Sequence, residues 1–226
     1  MAAYLIFMVP ALLLSLWASF RTRSAFKKYS KVGTLRGMTG AQAAQELLRG
    51  AGITDVEIVP TQGFLSDHYN PVNKKLALSP DVYGSNSIAA IGVACHEAGH
   101  AIQHATKYMP LWLRSALVPA ASIGSWASYI VIMVGMLLMR SAEMVYFGVF
   151  LFSAVVLFQL VTLPVEFDAS SRAKRLAVSS GIILEQERVG MDKVLNAAAM
   201  TYVAAAVSSL MTLLYYVMLA SGMRRD

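Results

Sequence analysis

Two histidines and a glutamate in one short stretch have the residue types and the spacing of a catalytic metal site. His96 and His100 are four positions apart, and Glu97 directly follows the first histidine. On a helix, residues four apart lie one above the other, so both imidazoles can be directed at one ion. Zinc is the expected ion, because imidazole is among its usual ligands and a catalytic zinc keeps one position open. Glu97 would then serve as the general base that takes a proton from water.

The composition predicts an integral membrane protein. Hydrophobic residues make up 57% of the 226 residues and charged residues only 14%, which is unusual for a soluble protein. Four stretches without a charge are long enough to cross a bilayer as helices, at 2–20, 115–139, 144–165 and 195–223. We therefore predict a mainly α protein with about four transmembrane helices, the first of them an uncleaved anchor.

The distribution of basic residues predicts how these spans are oriented. Sixteen of the 19 lysines and arginines lie at 21–114 and 172–193, and the other three are Arg140, Arg224 and Arg225. Short loops rich in Lys and Arg stay on the cytoplasmic side, so both segments, with the two histidines, are predicted to face the cytoplasm. Anionic lipid headgroups of the bilayer explain the net charge of +6. No basic patch with interleaved aromatic residues indicates a nucleic-acid partner.

Between the first two spans, the sequence predicts a small α+β region that carries the histidine helix. Its elements are a helix capped by Thr39 over 40–49, a strand at 56–59, a hairpin of 63–69 and 75–78, and the histidine helix, capped by Ser85 or Asn86 and ending near Lys107. The predicted domains are a transmembrane helix at 1–20, this cytoplasmic catalytic region at 21–110, and three further spans at 111–226 with a charged cytoplasmic loop at about 166–194.

A catalytic zinc normally has three protein ligands, so one more must come from elsewhere in the chain. Glu166 is the preferred candidate, because it ends the third span on the predicted cytoplasmic side. His68, in the predicted hairpin, and His104, one turn beyond His100 and about 6 Å further along the helix axis, remain alternatives. Asp168 lies about 200° around a helix from Glu166, so it is expected to orient a histidine instead of binding the same ion.

Other residues are expected to support the site. Cys95 is the one cysteine, so no intramolecular disulfide forms, and its position about 100° around the helix from His96 favours a packing role.

Hydrolysis by metal-activated water also needs a donor to the developing oxyanion. His68, Tyr69 and Tyr202 are residue types that can supply it. The predicted strand before Asn70 could bind an extended substrate by strand addition.

Four separated motifs resemble the YugP-type membrane zinc metallopeptidases of bacteria. In chain order they are Leu65-Ser66-Asp67-His68-Tyr69-Asn70-Pro71, His96-Glu97-Ala98-Gly99-His100-Ala101-Ile102-Gln103, Pro164-Val165-Glu166-Phe167-Asp168-Ala169-Ser170 and Asn196-Ala197-Ala198-Ala199-Met200-Thr201-Tyr202. The resemblance extends over nearly the whole chain. It implies a metalloprotease of the bacterial cytoplasmic membrane whose third zinc ligand is a glutamate, Glu166 here, as in the broader group of gluzincin membrane proteases.

One position departs from that broader group. Four residues after the glutamate, the group commonly has an aspartate that supports a ligand histidine. This chain has Ser170 at that position, and the nearby acid is Asp168. The resemblance therefore leaves the support of the histidines to be established.

The sequence predicts a zinc-dependent membrane metalloprotease, an endopeptidase with one zinc ion per chain, that hydrolyses a protein or peptide substrate by metal-activated water. The alternative is a noncatalytic membrane scaffold or quality-control adaptor in which zinc only ties the cytoplasmic region to the third span. Glu97 favours the enzyme, because a structural zinc site has no use for a base. A transporter is disfavoured, because the spans carry no charge for an ion path apart from Glu166 at an edge.

The predicted orientation can be tested by cysteine labelling. A membrane-impermeant thiol reagent supplied from the cytoplasmic side should label a cysteine placed at Lys31 and leave one placed at Ser141 unlabelled. The reason is that the first position lies in a basic segment and the second lies across the bilayer. The reverse labelling pattern would overturn the orientation.

Overall fold

The computed structural model describes residues 2–223, and side chains from Tyr4 onwards. In this range the elements are α1 (Ala2–Tyr29), α2 (Gly40–Gly50), β1 (Glu57–Pro60), β2 (His68–Asn70), β3 (Lys75–Leu78), α3 (Pro80–Tyr83), α4 (Ile88–Ala105), α5 (Met109–Leu137), α6 (Ala142–Ser179) and α7 (Glu185–Met223). The protein is mainly helical with one small sheet, as predicted. Arg224 and Arg225, used in the orientation argument, lie outside the described residues.

Four helices are long and apolar enough to cross a membrane: Tyr4–Tyr29, Met109–Leu137, Ala142–Ser179 and Glu185–Met223. They correspond to the four predicted spans. The helices extend beyond the apolar segments, however. Helix α6 continues without a break from the apolar segment into the charged one, because the polar side chains after Val165 lower hydropathy without lowering helix propensity.

The chain divides into two compact units. The first is formed by the described residues up to Ala18, by Trp112–Pro164 and by those from Thr201 onwards, and the second by Ser19–Leu111 and Val165–Met200. The first unit therefore contains most of the apolar helix segments. The second contains the sheet, α2 to α4, and every predicted site residue except Tyr202.

Within the first unit, helices α5 and α6 approach closely at glycines. A Cβ added to Gly124 would lie 2.6 Å from the carbonyl oxygen of Leu151, and one added to Gly148 would lie 2.5 Å from Cγ1 of Ile132. Such contacts are typical of membrane helices, which associate by close packing because lipid tails give no hydrophobic drive between them. Larger residues at either glycine would force the two helices apart.

Helix α4 is the central element of the second unit, and most of its 18 residues are buried. Its N-cap is Ser87, whose hydroxyl accepts the backbone N–H of Ala90 at 3.2 Å. The predicted caps were wrong, because the Ser85 hydroxyl donates to the Ser87 hydroxyl at 3.1 Å and the Asn86 carbonyl accepts from the backbone of Thr34. The C-terminus is at Ala105, two residues before the predicted end.

The neighbours of α4 bury its apolar faces. Helix α2 begins, as predicted, after Thr39, which forms a capping box with Gln42. The side chains that form the shared core with α4 include Ala43, Ala44, Leu47, Leu48, Leu76, Leu78, Ala173, Ala177, Met191 and Val194. Cys95 is part of this core and fully buried, which agrees with its predicted packing role.

The sheet has the strand order β1-β3-β2, with β1 parallel and β2 antiparallel to β3. The predicted hairpin is therefore present as β2 and β3. Its first strand is shorter than predicted, because the Ser66 hydroxyl donates to the carbonyls of Gln62 and Gly63 and Gly63 has φ +103°, a conformation that favours glycine. These contacts make residues 63–66 a turn, and β2 is left as a short edge strand.

Candidate metal centre

Three metal-ligating side chains converge in the second unit. Nε2 of His96 lies 3.2 Å from Oε2 of Glu166, and Nε2 of His100 lies 3.6 Å from the same oxygen. The ligand atoms of all three residues lie within 4.8 Å of one another. The histidines are on α4 and the glutamate on α6, so the group joins residues that are far apart in the chain.

This arrangement fits a zinc ion. Ligand atoms bound to tetrahedral zinc at its usual bond lengths are separated by about 3.3 Å, close to the two separations measured from Glu166. The glutamate is only 2% exposed, and a buried carboxylate needs a positive charge or several donors beside it. Two imidazoles and one carboxylate are also a donor set found in catalytic zinc sites, where the fourth position is left for water or substrate.

A glycine allows the two helices to meet at this point. A Cβ added to Gly99 would lie 2.7 Å from the backbone oxygen of Ala169, closer than non-bonded carbon and oxygen atoms approach. The Ala169 side chain is itself fully buried. The contact between backbone atoms of α4 and α6 therefore depends on Gly99, which lies directly before His100 in the chain.

Burial and the neighbouring groups act in opposite directions on the pKa of His100. Burial disfavours the protonated imidazole, but hydrogen bonding with the Glu166 carboxylate and the nearby charge of Glu97 favour it. The balance raises the pKa of His100 above its ordinary value. The site thus has enough negative charge to attract a cation, whether that cation is a proton or a metal ion.

Each histidine also has a contact at its other ring nitrogen. Nδ1 of His96 lies 3.1 Å from the hydroxyl of Ser170, and Ser170 is four residues after Glu166, hence on the same face of α6. The serine that replaces the expected aspartate therefore lies where it contacts His96, one of the three converging side chains. Nδ1 of His100 lies 3.0 Å from Oε1 of Gln103.

Asp168 is linked to the centre through a neighbouring side chain. Its Oδ2 accepts a hydrogen bond from Nε2 of Gln103 at 2.8 Å and another from Nε of Arg172 at 2.5 Å. Gln103 also donates to the carbonyl oxygen of Val165 at 2.8 Å. The aspartate expected to orient a histidine thus contacts the glutamine that contacts His100.

The alternative ligands lie apart from this group. His68 is exposed, with Nδ1 2.8 Å from the carbonyl oxygen of Ser66, and Nδ1 of His104 is 2.8 Å from the hydroxyl of Tyr69. Burial raises the pKa of Cys95 to about 12, which keeps the thiol neutral and makes it a poor metal ligand. Within residues 2–223, one group of three or more His, Cys, Asp or Glu side chains has its ligand atoms close enough to share an ion. It consists of His96, His100 and Glu166.

Two residues at the centre received no role from the sequence. Gln103 and Arg172 contact His100 and Asp168, respectively. Helical spacing is the signal that could have identified them, because Gln103 follows His100 by three positions and Arg172 follows Asp168 by four. Spacing alone does not single out these contacts among many similar pairs on the two helices.

Comparisons with known proteins connect the chain with zinc peptidases. The family profile described as "Putative neutral zinc metallopeptidase" matches residues 4–221, a range that includes all three converging side chains. The protein named "Putative membrane protease YugP" from Bacillus subtilis (strain 168) is 49% identical over 211 residues, which cover 93% of this chain and 93% of that protein. No solved structure gives a significant match. From its sequence over almost its full length, the chain belongs to the family described as "Putative neutral zinc metallopeptidase".

Proposed function

We propose that this protein is a zinc-dependent membrane endopeptidase, with His96, His100 and Glu166 as the zinc ligands and Glu97 as the general base. The observation that carries the proposal is the convergence of two imidazoles and one buried carboxylate within 4.8 Å. The four apolar helices and the family membership support a membrane peptidase. The positions of the basic residues support a centre that faces the cytoplasm.

The residues of the site have separate roles in hydrolysis. Zinc held by the three ligands would supply Lewis acidity to the substrate carbonyl and to a water molecule. Glu97 takes a proton from the attacking water as the new C–O bond forms, and returns it to the leaving amine as the C–N bond breaks. Its placement supports this role, because it is almost fully buried on α4 and its charge acts on His100.

The edge strand β2 is proposed to hold the substrate. In the described part of the chain, β2 pairs with β3 along one edge, and its contacts with α4 bring it to the helix that carries both histidines. An extended peptide can add to the free edge through backbone hydrogen bonds, which tolerate many sequences. Such binding suits an enzyme that cuts within protein or peptide chains.

Tyr69 is proposed as the donor to the oxyanion, ahead of His68 and Tyr202. Its hydroxyl is 2.8 Å from Nδ1 of His104, one turn beyond His100 on α4. Burial and the charge of Asp55 raise the pKa of Tyr69, so the phenol keeps its proton. If the His104 nitrogen donates to the phenol oxygen, the phenol proton is available to the substrate.

Glu97→Gln should retain zinc and fold but lose most turnover. The amide is similar in size and cannot accept the proton, so the rate should fall by about 10²- to 10⁴-fold. The measurement is degradation of an unfolded protein by detergent-purified enzyme, with bound zinc determined on the same samples. Glu57→Gln, an exposed glutamate of the same unit, is the matched control and should be active. Near wild-type activity of Glu97→Gln would exclude it as the base, and zinc binding without any hydrolysis by the wild type would favour the scaffold.

Glu166→Ala should lower both zinc content and activity. Removing the carboxylate leaves two imidazoles, too few to hold zinc tightly in a catalytic geometry. Asp168→Ala is the control two residues away, and its effect on zinc content should be smaller, because Asp168 acts through Gln103. Metal analysis after dialysis against a weak chelator would measure the zinc content of both variants, and a peptide hydrolysis assay would measure their activity. Full zinc content in Glu166→Ala would show that another residue is the third ligand.

Tyr69→Phe should lower kcat by about 10²- to 10³-fold, the usual cost of losing an oxyanion donor, while zinc content and KM change little. The partly buried Tyr83, on α3, provides the control variant Tyr83→Phe. Steady-state kinetics with a fluorogenic peptide would separate kcat from KM. An unchanged kcat for Tyr69→Phe would return the role to His68 or Tyr202.

A further inference from the structure

We propose that Gln103 is the positioning residue for His100, because its side-chain amide is held in one orientation and so fixes which nitrogen of the histidine faces the metal. This inference rests on the proposed zinc site. It assigns a role to a residue that is not itself a ligand and is not needed for the chemistry of the base.

The orientation of the amide follows from its partners. Nε2 of Gln103 lies 2.8 Å from the carbonyl oxygen of Val165 and 2.8 Å from Oδ2 of Asp168. Both partners are acceptors, and the amide nitrogen has two hydrogens to give them. A flipped amide would place its oxygen against two other oxygens and lose both bonds. The oxygen of Gln103 must therefore point the other way, towards His100.

That oxygen determines the direction of the next hydrogen bond. Oε1 of Gln103 can only accept, so Nδ1 of His100, at 3.0 Å, must be the donor. With the proton of the neutral imidazole held at Nδ1, the lone pair at Nε2 is available to a metal. Nε2 is the atom that lies 3.6 Å from the Glu166 carboxylate. The amide therefore selects the ligand form of His100.

Asp168, which holds the amide of Gln103, is itself held by another side chain. Asp168 also accepts from Arg172, and the Arg172 guanidinium lies 5.6 Å from the ring centroid of Tyr108. The aspartate thus has a cation and an amide as partners, and the histidine receives a neutral acceptor in place of a carboxylate. Gln103 is 0% exposed, so bulk water has no ready access to replace the contact.

Among the described residues, the contact at Nδ1 of the other histidine restrains its ring less. The partner of Nδ1 in His96 is the Ser170 hydroxyl, which can rotate to donate or accept. A hydroxyl accommodates either form of the imidazole, whereas the anchored amide accommodates one. The prediction is therefore specific to Gln103 and His100.

Gln103→Met tests the inference, because methionine has a similar length and its thioether is only a weak acceptor for the Nδ1–H. Zinc affinity of the purified full chain, measured by competition with a chelator, should fall by about 10- to 100-fold. The visible absorption bands of the cobalt(II)-substituted protein should also shift, since they report the geometry of the ligands. Gln103→Leu repeats the loss with another apolar shape, in case one variant folds poorly.

Ser87→Ala is the matched control. It removes the N-cap bond of the same helix and so lowers the stability of that helix, but it leaves the metal centre untouched. Its zinc affinity and cobalt spectrum should match those of the wild type. An equal loss in Ser87→Ala, or wild-type affinity and spectrum in Gln103→Met, would overturn the role of Gln103 alone. Failure of the wild-type protein to bind zinc would instead overturn the proposed function as well.

Discussion

The close approach of α4 and α6 is the constraint on which the candidate metal centre depends. At Gly99 the space for a Cβ is taken by the backbone oxygen of Ala169, so the two helices are separated by little more than their backbones. This contact places the Glu166 carboxylate within 3.2 Å and 3.6 Å of the two imidazoles. A wider separation would leave a buried carboxylate without its partners, which is costly in a protein interior.

The same contact aligns the groups around the three converging side chains. Glu166 and Ser170 are one turn apart on α6, and His96, His100 and Gln103 lie along α4, so helix periodicity sets the register of both sides. Ser170 then contacts one histidine and Gln103 the other. The centre is thus formed by two regular helices instead of loops, and regular helices hold a site more precisely.

The sequence predicted those features whose causes are local. Three of these features depend on residues close together in the chain: the helix that carries His96 and His100, the Thr39 cap and the four apolar spans. The structure contains all three. Among contacts that join distant segments, the sequence predicted that Glu166 would share an ion with the two histidines, and the three side chains converge. Other contacts of this kind were not predicted. Nothing in the local pattern indicates that Gln103 meets Val165 and Asp168, because that meeting depends on how α4 packs against α6.

The other differences between the predicted and the observed elements have local causes that hydropathy and residue type did not resolve. Hydropathy marked a boundary after Val165, yet α6 continues, since a membrane edge does not end a helix. Ser85, Asn86 and Ser87 are all good caps, and only the hydrogen bonds select Ser87. The turn before β2 depends on the hydroxyl of Ser66 and the positive φ of Gly63, which the alternation of residue types did not reveal.

The central claim is that one zinc ion binds between α4 and α6, and an anomalous difference map at the zinc absorption edge tests it most directly. The account predicts a single strong peak per chain at about 2.0 to 2.2 Å from Nε2 of His96, Nε2 of His100 and a carboxylate oxygen of Glu166. A peak on His68 or His104 without Glu166, or fully loaded protein with no peak between the two helices, would contradict it.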